Sequence, residues 1–236
     1  MSKKIFKRHE LKYILTIDQM NELLQKLQNH MHKDEFFKCT IRNIYYDTPN
    51  YLLIRNSIEK PEYKEKLRIR SYQTINNNED VFVELKKKYK KVVYKRREIL
   101  PYDIARLFLD EKVVPNSLQI TNEIAYSLNY YKELKPIMYL SYDRIAFIDN
   151  IDSQFRITFD SNILWRDYDL DLTKEPYGKL ILPENLVLME VKTVMGYPRW
   201  LLDFLGNNNI YKQSFSKYGN VYKDIIEQDE MEIKYA

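Results

Sequence analysis

The chain has 236 residues, enough to bury a core, and is 44% hydrophobic and 31% charged with a formal net charge of only +4, a globular rather than a disordered composition. Its four glycines, Gly178, Gly196, Gly206 and Gly219, are scattered, and neither G-x-x-x-x-G-K-[ST] nor G-x-G-x-x-G occurs, which excludes a P-loop or Rossmann nucleotide site. A single cysteine, Cys39, excludes an internal disulfide, the stretch from Met1 to Arg8 lacks the apolar core of a signal peptide, and no apolar run approaches the roughly 18 residues of a membrane span; the expectation is a soluble, cytoplasmic protein.

In chain order, Phe6–Leu15 alternates and reads as a strand, after which Thr16 and Gln19 have the spacing of a capping box. The helix it opens carries Met20, Leu23, Leu24 and Leu27 on one stripe. Strands are predicted over Thr40–Asp47, Tyr63–Gln73, Asp80–Tyr89 and Val92–Leu100, with Pro49 stopping the first and Asn76-Asn77-Asn78 forming a loop. A helix starts at Pro101 and runs to about Asp110, and a second spans Leu118–Leu134 ahead of Pro136. Strands return at Ile137–Asp149, Gln154–Asp160 and Leu186–Thr193. A short helix, Pro198–Leu205, is closed by Gly206, and a last helix covers Lys217–Glu227. There is no repeat and no linker-like stretch, so one α+β domain over residues 1–236 is expected, with seven or eight strands, enough to close an antiparallel barrel.

The charges supply the functional argument. Residues two apart on a strand share a face. By that rule Arg8, Glu10 and Lys12 go together, as do Lys66, Arg68 and Arg70; Glu84, Lys86 and Lys88; Lys95 and Arg97; Tyr142 and Arg144; and Glu190 and Lys192, with Arg156 on a further strand. The opposite faces are apolar: Leu67 and Ile69, Val81, Val83 and Leu85, Ile145 and Phe147, Val187, Met189 and Val191. The ordinary reading is a charged face toward water and an apolar face toward a core. An ordinary solvent face mixes signs and includes Ser, Thr, Asn and Gln, whereas these are mostly Arg and Lys with a lone Glu on three strands. The inverted reading lines a tunnel with the charges and covers the apolar outside with helices. Such a lining calls for a polyanion, gripped bidentately by Arg and as point charges by Lys, and a divalent cation held by the carboxylates.

The following stretches carry a resemblance: Phe6-Lys7-Arg8-His9-Glu10-Leu11-Lys12-Tyr13, Ile44-Tyr45-Tyr46-Asp47-Thr48-Pro49, Lys66-Leu67-Arg68-Ile69-Arg70-Ser71-Tyr72, Val83-Glu84-Leu85-Lys86, Tyr94-Lys95-Arg96-Arg97, Tyr142-Asp143-Arg144, Phe155-Arg156-Ile157-Thr158-Phe159-Asp160, Leu188-Met189-Glu190-Val191-Lys192-Thr193 and Ser214-Phe215-Ser216-Lys217-Tyr218. In this order they resemble the polyphosphate polymerase domain of the vacuolar transporter chaperone (VTC) type, one of the triphosphate tunnel metalloenzymes. The resemblance implies a closed eight-stranded antiparallel tunnel with helices packed outside. It implies transfer of the terminal phosphate of ATP or another nucleoside triphosphate onto polyphosphate, with Mn²⁺ or Mg²⁺ as cofactor. Arg68, Arg70, Lys86, Arg144, Arg156 and Lys217 match phosphate-binding positions, Lys12 a tunnel lysine, Tyr142 a tunnel tyrosine, Glu190 the metal-binding glutamate and Ser216 a serine beside the terminal phosphates. Where the family carries a lysine, this chain has Ser214, with Lys212 as the substitute. Neither an inositol-phosphate-sensing domain nor membrane helices accompany these motifs, so regulation by inositol pyrophosphates and coupled translocation are not implied.

The expected mechanism uses Glu190, with Glu10 or Glu84, to hold the metal. Arg68, Arg70, Arg144 and Arg156 stabilise the transferring group, and Lys12, Lys86 and Lys217 orient the acceptor. Lys95, Arg97 and Lys192 are further phosphate-binding candidates, parity favouring Lys95 and Arg97 over Arg96. With water as acceptor the same groups make a triphosphatase. A non-catalytic polyphosphate-binding module is the third reading and an RNA-binding sheet the fourth, disfavoured because aliphatic rather than aromatic residues separate the cations; no specific nucleic-acid partner is expected. His9, His30 and His32 do not form a zinc pattern, Cys39 has no activating neighbour, Trp165 and Trp200 read as packing residues, and Tyr45 to Pro49 reads as a strand end and turn without chemistry.

Overall fold

A computed structural model describes residues 9–59, 61–90 and 92–225; the expectations for Phe6, Lys7, Arg8, Ile226 and Glu227 lie outside them. Strand β1 (His9–Thr16) leads into helix α1 (Ile17–Leu27). The capping box is formed as its spacing predicts: Gln19 N–H donates to Thr16 Oγ1 at 3.2 Å, and Thr16 N–H donates to Gln19 Oε1 at 3.0 Å. There follow β2 (Met31–Asp47), α2 (Leu52–Glu59), β3 (Tyr63–Ser71), β4 (Asp80–Tyr89), β5 (Val92–Pro101), α3 (Tyr102–Glu111), α4 (Gln119–Tyr131), β6 (Lys135–Asp149), β7 (Arg156–Arg166), β8 (Lys179–Leu180), β9 (Leu186–Thr193) and α5 (Arg199–Asn207). Residues 217–225 are helical.

The strands pair in the order β1-β9-β7-β6-β2-β3-β4-β5, with β8 attached to β7. Eight strands therefore lie on the path, and every ladder whose register is resolved is antiparallel. The expected closure into a barrel is not shown: the path ends at β1 and β5, and no ladder joins these ends among the described residues. Strand number permits closure but does not impose it, because tilt and stagger must also match.

The chain forms two compact units: Met1–Thr40, Tyr142–Ile163 and Leu182–Phe215 in the first; Ile41–Ser141, Leu164–Ile181 and Ser216–Ala236 in the second. Each has one apolar core under helices. In the first, Leu23 and Leu27 of α1 and Leu201, Phe204 and Leu205 of α5 pack on Val187, Met189 and Val191 of β9 and Ile157 and Phe159 of β7. In the second, Ala105, Phe108 and Leu109 of α3 and Ile124 and Leu128 of α4 join Leu67 and Ile69 of β3 and Val81, Val83 and Leu85 of β4. These strand residues are buried, each worth about 1.5–3 kcal/mol relative to exposure. The apolar faces named from alternation are thus the helix-covered ones.

Several boundaries differ from expectation. Strand β2 begins at Met31 rather than Thr40, through a polar stretch with no alternation of its own that is strand only by pairing. Strand β7 continues past Asp160 to Arg166 across Asn162, whose positive φ of 47° breaks the pattern. Helix α2 was not foreseen; it follows Pro49 closely, and its first-turn N–H groups at Leu53 and Ile54 donate to the buried Asp47 carboxylate at 2.8 and 3.0 Å. Strand β8 has two residues, and the bare Cα of the adjacent Gly178 permits its approach, since a Cβ there would stand 2.2 Å from the Trp165 carbonyl oxygen. Pro198 is the cap of α5 rather than its first residue, and Gly206 lies within its last turn.

Candidate functional site

Each unit carries a charged cluster on the sheet face opposite its apolar core. In the second unit it is built by register. Tyr45, Arg68, Glu84 and Arg97 are successive cross-strand partners from β2 to β5, and Lys66, Lys86 and Lys95 form the next row. Directly opposed residues project on the same face. Glu84 is 2% exposed. Its Oε2 accepts from Arg68 Nε at 2.9 Å and Nη2 at 2.7 Å, while Oε1 takes Lys95 Nζ at 2.8 Å and Arg97 Nη2 at 2.6 Å. Arg70 lies 3.9 Å away and donates its Nε–H to Asn43 Oδ1 at 2.9 Å. Burial would raise the Glu84 carboxyl, but Arg68, Arg70 and Lys95 reverse this and hold it well below the carboxylate range. Burial lowers the Lys95 ammonium, which Glu84 partly restores. Lys95 and Arg97 therefore share the inner face, while Arg96 turns the other way to Glu123 of α4 at 2.7 Å. Lys86 is exposed. Arg68 Nη1 also donates to the Tyr45 hydroxyl at 2.9 Å. Burial raises the Tyr45 phenol, yet Arg68, Lys66 and Arg70 bring it down to about 8.

Ser216, also in the second unit, precedes the helical segment 217–225 that Lys217 opens. Its Oγ accepts from Gly219 N–H at 3.2 Å and from Lys66 Nζ at 3.4 Å, a helix N-terminus beside a cation.

In the first unit, Lys12, Glu190 and Thr158 are cross-strand partners over β1, β9 and β7, and Glu10, Lys192 and Arg156 form the adjoining row. Glu190, 6% exposed, lies 3.4 Å from Lys12 Nζ and 3.2 Å from Arg144 Nη2. Arg144 grips the fully buried Asp160 bidentately at 2.6 and 2.7 Å and lies over the Tyr142 ring at 5.2 Å. Arg156 pairs with Asp34, and Lys192 with Glu10 at 3.8 Å. Burial lowers the Lys192 ammonium against the opposing pull of Glu10 and Glu190. Lys12 Nζ also donates to the Phe215 carbonyl at 2.9 Å, and a cavity of about 400 Å³ is lined by Glu10, Lys12, Lys212 and Ser214 among others. Lys212 thus borders the same space as Lys12.

The predicted metal carboxylates fall in both units, Glu10 and Glu190 in the first and Glu84 in the second. Glu10 and Glu190 flank Lys12, at 3.7 and 3.4 Å. Both Glu84 oxygens are held by cations at 2.7 and 2.8 Å, closer than the 3.4 and 3.2 Å at Glu190, which makes Glu84 the poorer ligand for a further cation. Among the described residues no group of three His, Cys, Asp or Glu could hold a metal. Two carboxylates nonetheless fit a hard cation such as Mg²⁺ or Mn²⁺ of the kind shared with substrate phosphates, which takes one or two protein carboxylates rather than a protein cage.

Three contributors were missed from the sequence. Tyr45 had been assigned no chemistry, and its meeting with Arg68 needs the β2–β3 register. Asp160 and Thr158 lie in a quoted motif, and alternation from Arg156 places both on its face, but no role had been attached. The histidines lie elsewhere: His30 stacks on Trp200 with centroids 4.8 Å apart, and His32 Nδ1 is 2.9 Å from Asn150 Oδ1.

The family model described as VTC domain matches residues 7–226. Vacuolar transporter chaperone complex subunit 4 of Trypanosoma cruzi (strain CL Brener) is 22% identical over 205 residues, covering 68% of this chain and 26% of that protein, so the chain spans about a quarter of that relative. In fold the chain is similar to a candidate adenylate cyclase from Bacillus halodurans, with a TM-score of 0.53, 16% identity and coverage of 92% of this chain and 96% of that one. It is also similar to a candidate adenylyl cyclase from Hippeastrum that reveals a dominant triphosphatase activity, with a TM-score of 0.52, 15% identity and coverage of 90% and 93%.

Proposed function

Because this chain belongs to the VTC domain family, we propose that it is a metal-dependent polyphosphate polymerase that moves the terminal phosphate of ATP, or of another nucleoside triphosphate, onto a growing polyphosphate chain. The observation that carries the reading is the burial of a glutamate among cations on the charged sheet face of each unit, Glu84 with Arg68, Arg70, Lys95 and Arg97, and Glu190 with Lys12 and Arg144. In the second unit Arg68, Arg70, Lys95 and Arg97 share the single Glu84, an excess of positive charge that suits a polyanion. The family match spans both units, and we treat them as one functional domain.

Phosphoryl transfer asks for positioning and charge stabilisation more than for covalent chemistry. In this reading Arg68, Arg70, Arg144 and Arg156 spread over phosphate oxygens, and Lys12, Lys86 and Lys217 orient the acceptor end. A terminal phosphate is already anionic at neutral pH, so no general base is needed. Glu190 and Glu10 would hold a divalent cation, whose chemistry is to neutralise charge on the triphosphate oxygens. Lys95, Arg97, Lys192, Tyr142 and Ser216 complete the phosphate contacts.

The runner-up is a triphosphatase on the same groups, supported by the activity of the Hippeastrum neighbour. A polyphosphate-binding module without catalysis is the third reading. Protein partners are proposed from the relative's place as a complex subunit. No helix among the described residues is long and apolar enough to cross a membrane, and a cytoplasmic location is part of the proposal.

The deciding experiment incubates the purified protein with ATP and Mn²⁺, resolves the products on a gel stained for polyphosphate and assays free phosphate in parallel. A ladder with ADP release is expected. Free phosphate without a ladder would establish the triphosphatase instead, and neither product would leave the binding module. Glu190→Gln should lose the ladder while still binding polyphosphate; full activity in that variant would remove the metal role of Glu190.

A further inference from the structure

We infer that the Thr158 hydroxyl, with the Arg156 Nε–H beside it in sequence, forms a subsite for one phosphate oxygen of the bound triphosphate or polyphosphate. The inference rests on the phosphate-binding reading above and adds to it a residue that reading does not use. Arg156, Thr158 and Asp160 alternate along β7 and share one face, and Thr158 lies directly across from Glu190 in the β7–β9 ladder. Thr158 is 1% exposed, and its Oγ1 is buried without a hydrogen-bond partner among the described residues. The Nε of Arg156 is likewise buried and unpartnered, while the Nη2 end of the same guanidinium is held by Asp34. Buried donors are almost always satisfied, and leaving one unpaired is costly. Two unpaired donors at positions i and i+2 of one strand face therefore share a need, and both are met by an acceptor oxygen. Of the carboxylates near this face, Asp160 takes both arms of Arg144, Glu190 takes Arg144 and Lys12, and Asp34 faces the Nη2 end of Arg156 rather than its Nε. Lys192 stands across from Arg156 and Lys12 across from Glu190, so the acceptor that fits is anionic as well as oxygen-bearing. A phosphate oxygen meets both conditions. Water could supply one acceptor, but it brings no negative charge to the surrounding cations.

The test uses Thr158→Val, which keeps the shape of the side chain and removes the hydroxyl, with Thr158→Ser as the conservative control that retains it. Inorganic triphosphate binding is measured by calorimetry in the presence of EDTA, so that metal plays no part, and the melting temperature of each ligand-free protein is taken. The expected result is an affinity about tenfold lower in the valine variant, near wild type in the serine variant, with a ligand-free melting temperature equal to or above wild type, because an unsatisfied hydroxyl has been removed. Unchanged triphosphate affinity in the valine variant, with a lowered melting temperature, would overturn the inference and assign the hydroxyl to an internal contact while leaving the functional reading intact. A wild-type protein that binds no triphosphate either in EDTA or with Mn²⁺ added would overturn both.

Discussion

The Tyr45 phenol, lowered to about 8 against burial by Arg68, Lys66 and Arg70, makes the charged face of the second unit sensitive to mildly alkaline pH. Tyr45 faces these three cations on β3, with Glu84 beyond Arg68 and the Tyr218 ring 4.8 Å away on the segment 217–225. The ordinary value is 10.0, so the folded protein favours the ionised form. The stabilisation this contributes is fully present above about 10 and is lost as pH falls through about 8. Ligand binding goes the other way: each tyrosinate formed cancels one positive charge, and polyphosphate affinity should weaken as pH rises past about 8. Bound triphosphate should in turn raise the Tyr45 titration. Phenolate absorbance recorded with and without triphosphate, wild type against Tyr45→Phe, checks this. Absence of a phenolate step near pH 8 that Tyr45→Phe removes would rule the account out. No reading of residues in isolation reaches this behaviour, since the contributing cations lie on another strand.

At the level of elements, the β3–β4–β5 ladders decide the energetics of the second cluster. Glu84 is the shared counter-charge of Arg68, Arg70, Lys95 and Arg97. Replacing it with glutamine leaves those cations facing one another, which should destabilise the protein by about 3 kcal/mol, the low end for breaking a buried pair because Lys95 and Arg97 are 47% and 34% exposed. Polyphosphate should restore much of the lost melting temperature by supplying the missing negative charge. Chemical denaturation of Glu84→Gln with and without polyphosphate measures both effects; a loss that polyphosphate does not recover would mean that Glu84 acts only as a packing residue. The elements themselves were unevenly legible. The bounds of β4 and β9 agree with their alternation residue for residue, because one face is apolar throughout. The first half of β2 and the end of β7 were not readable, because their strand state comes from neighbours rather than from pattern. Helix α2 was hidden by its length of eight residues and by a cap, Asp47, that lies ahead of it at the end of β2.

For the molecule as a whole, a formal charge of +4 understates how polyanions should see it, because Arg and Lys are gathered on one sheet face of each unit. Binding that displaces counterions from several such groups should weaken steeply with salt, by at least about tenfold between roughly 50 and 200 mM. Polyphosphate affinity measured across that range tests the point, and a flat dependence would exclude the charged faces as the binding surface. The inverted reading of the strands, with charge turned away from bulk water, is supported within each unit by the deep burial of Glu84, Glu190 and Asp160. The expected closed barrel was the part that alternation could not carry.

Alternation follows from covalent geometry, so the sequence alone determined which residues share a face, and with it the cationic faces, their apolar backs and the capped helix α1. The order and identity of the motifs also determined the family. Register is chosen by pairing between segments far apart in the chain, and only the tertiary structure decided that Arg68 meets both Glu84 and Tyr45, that Glu190 is held by Lys12 and Arg144, and that Thr158 faces the same cluster with its hydroxyl unpaired.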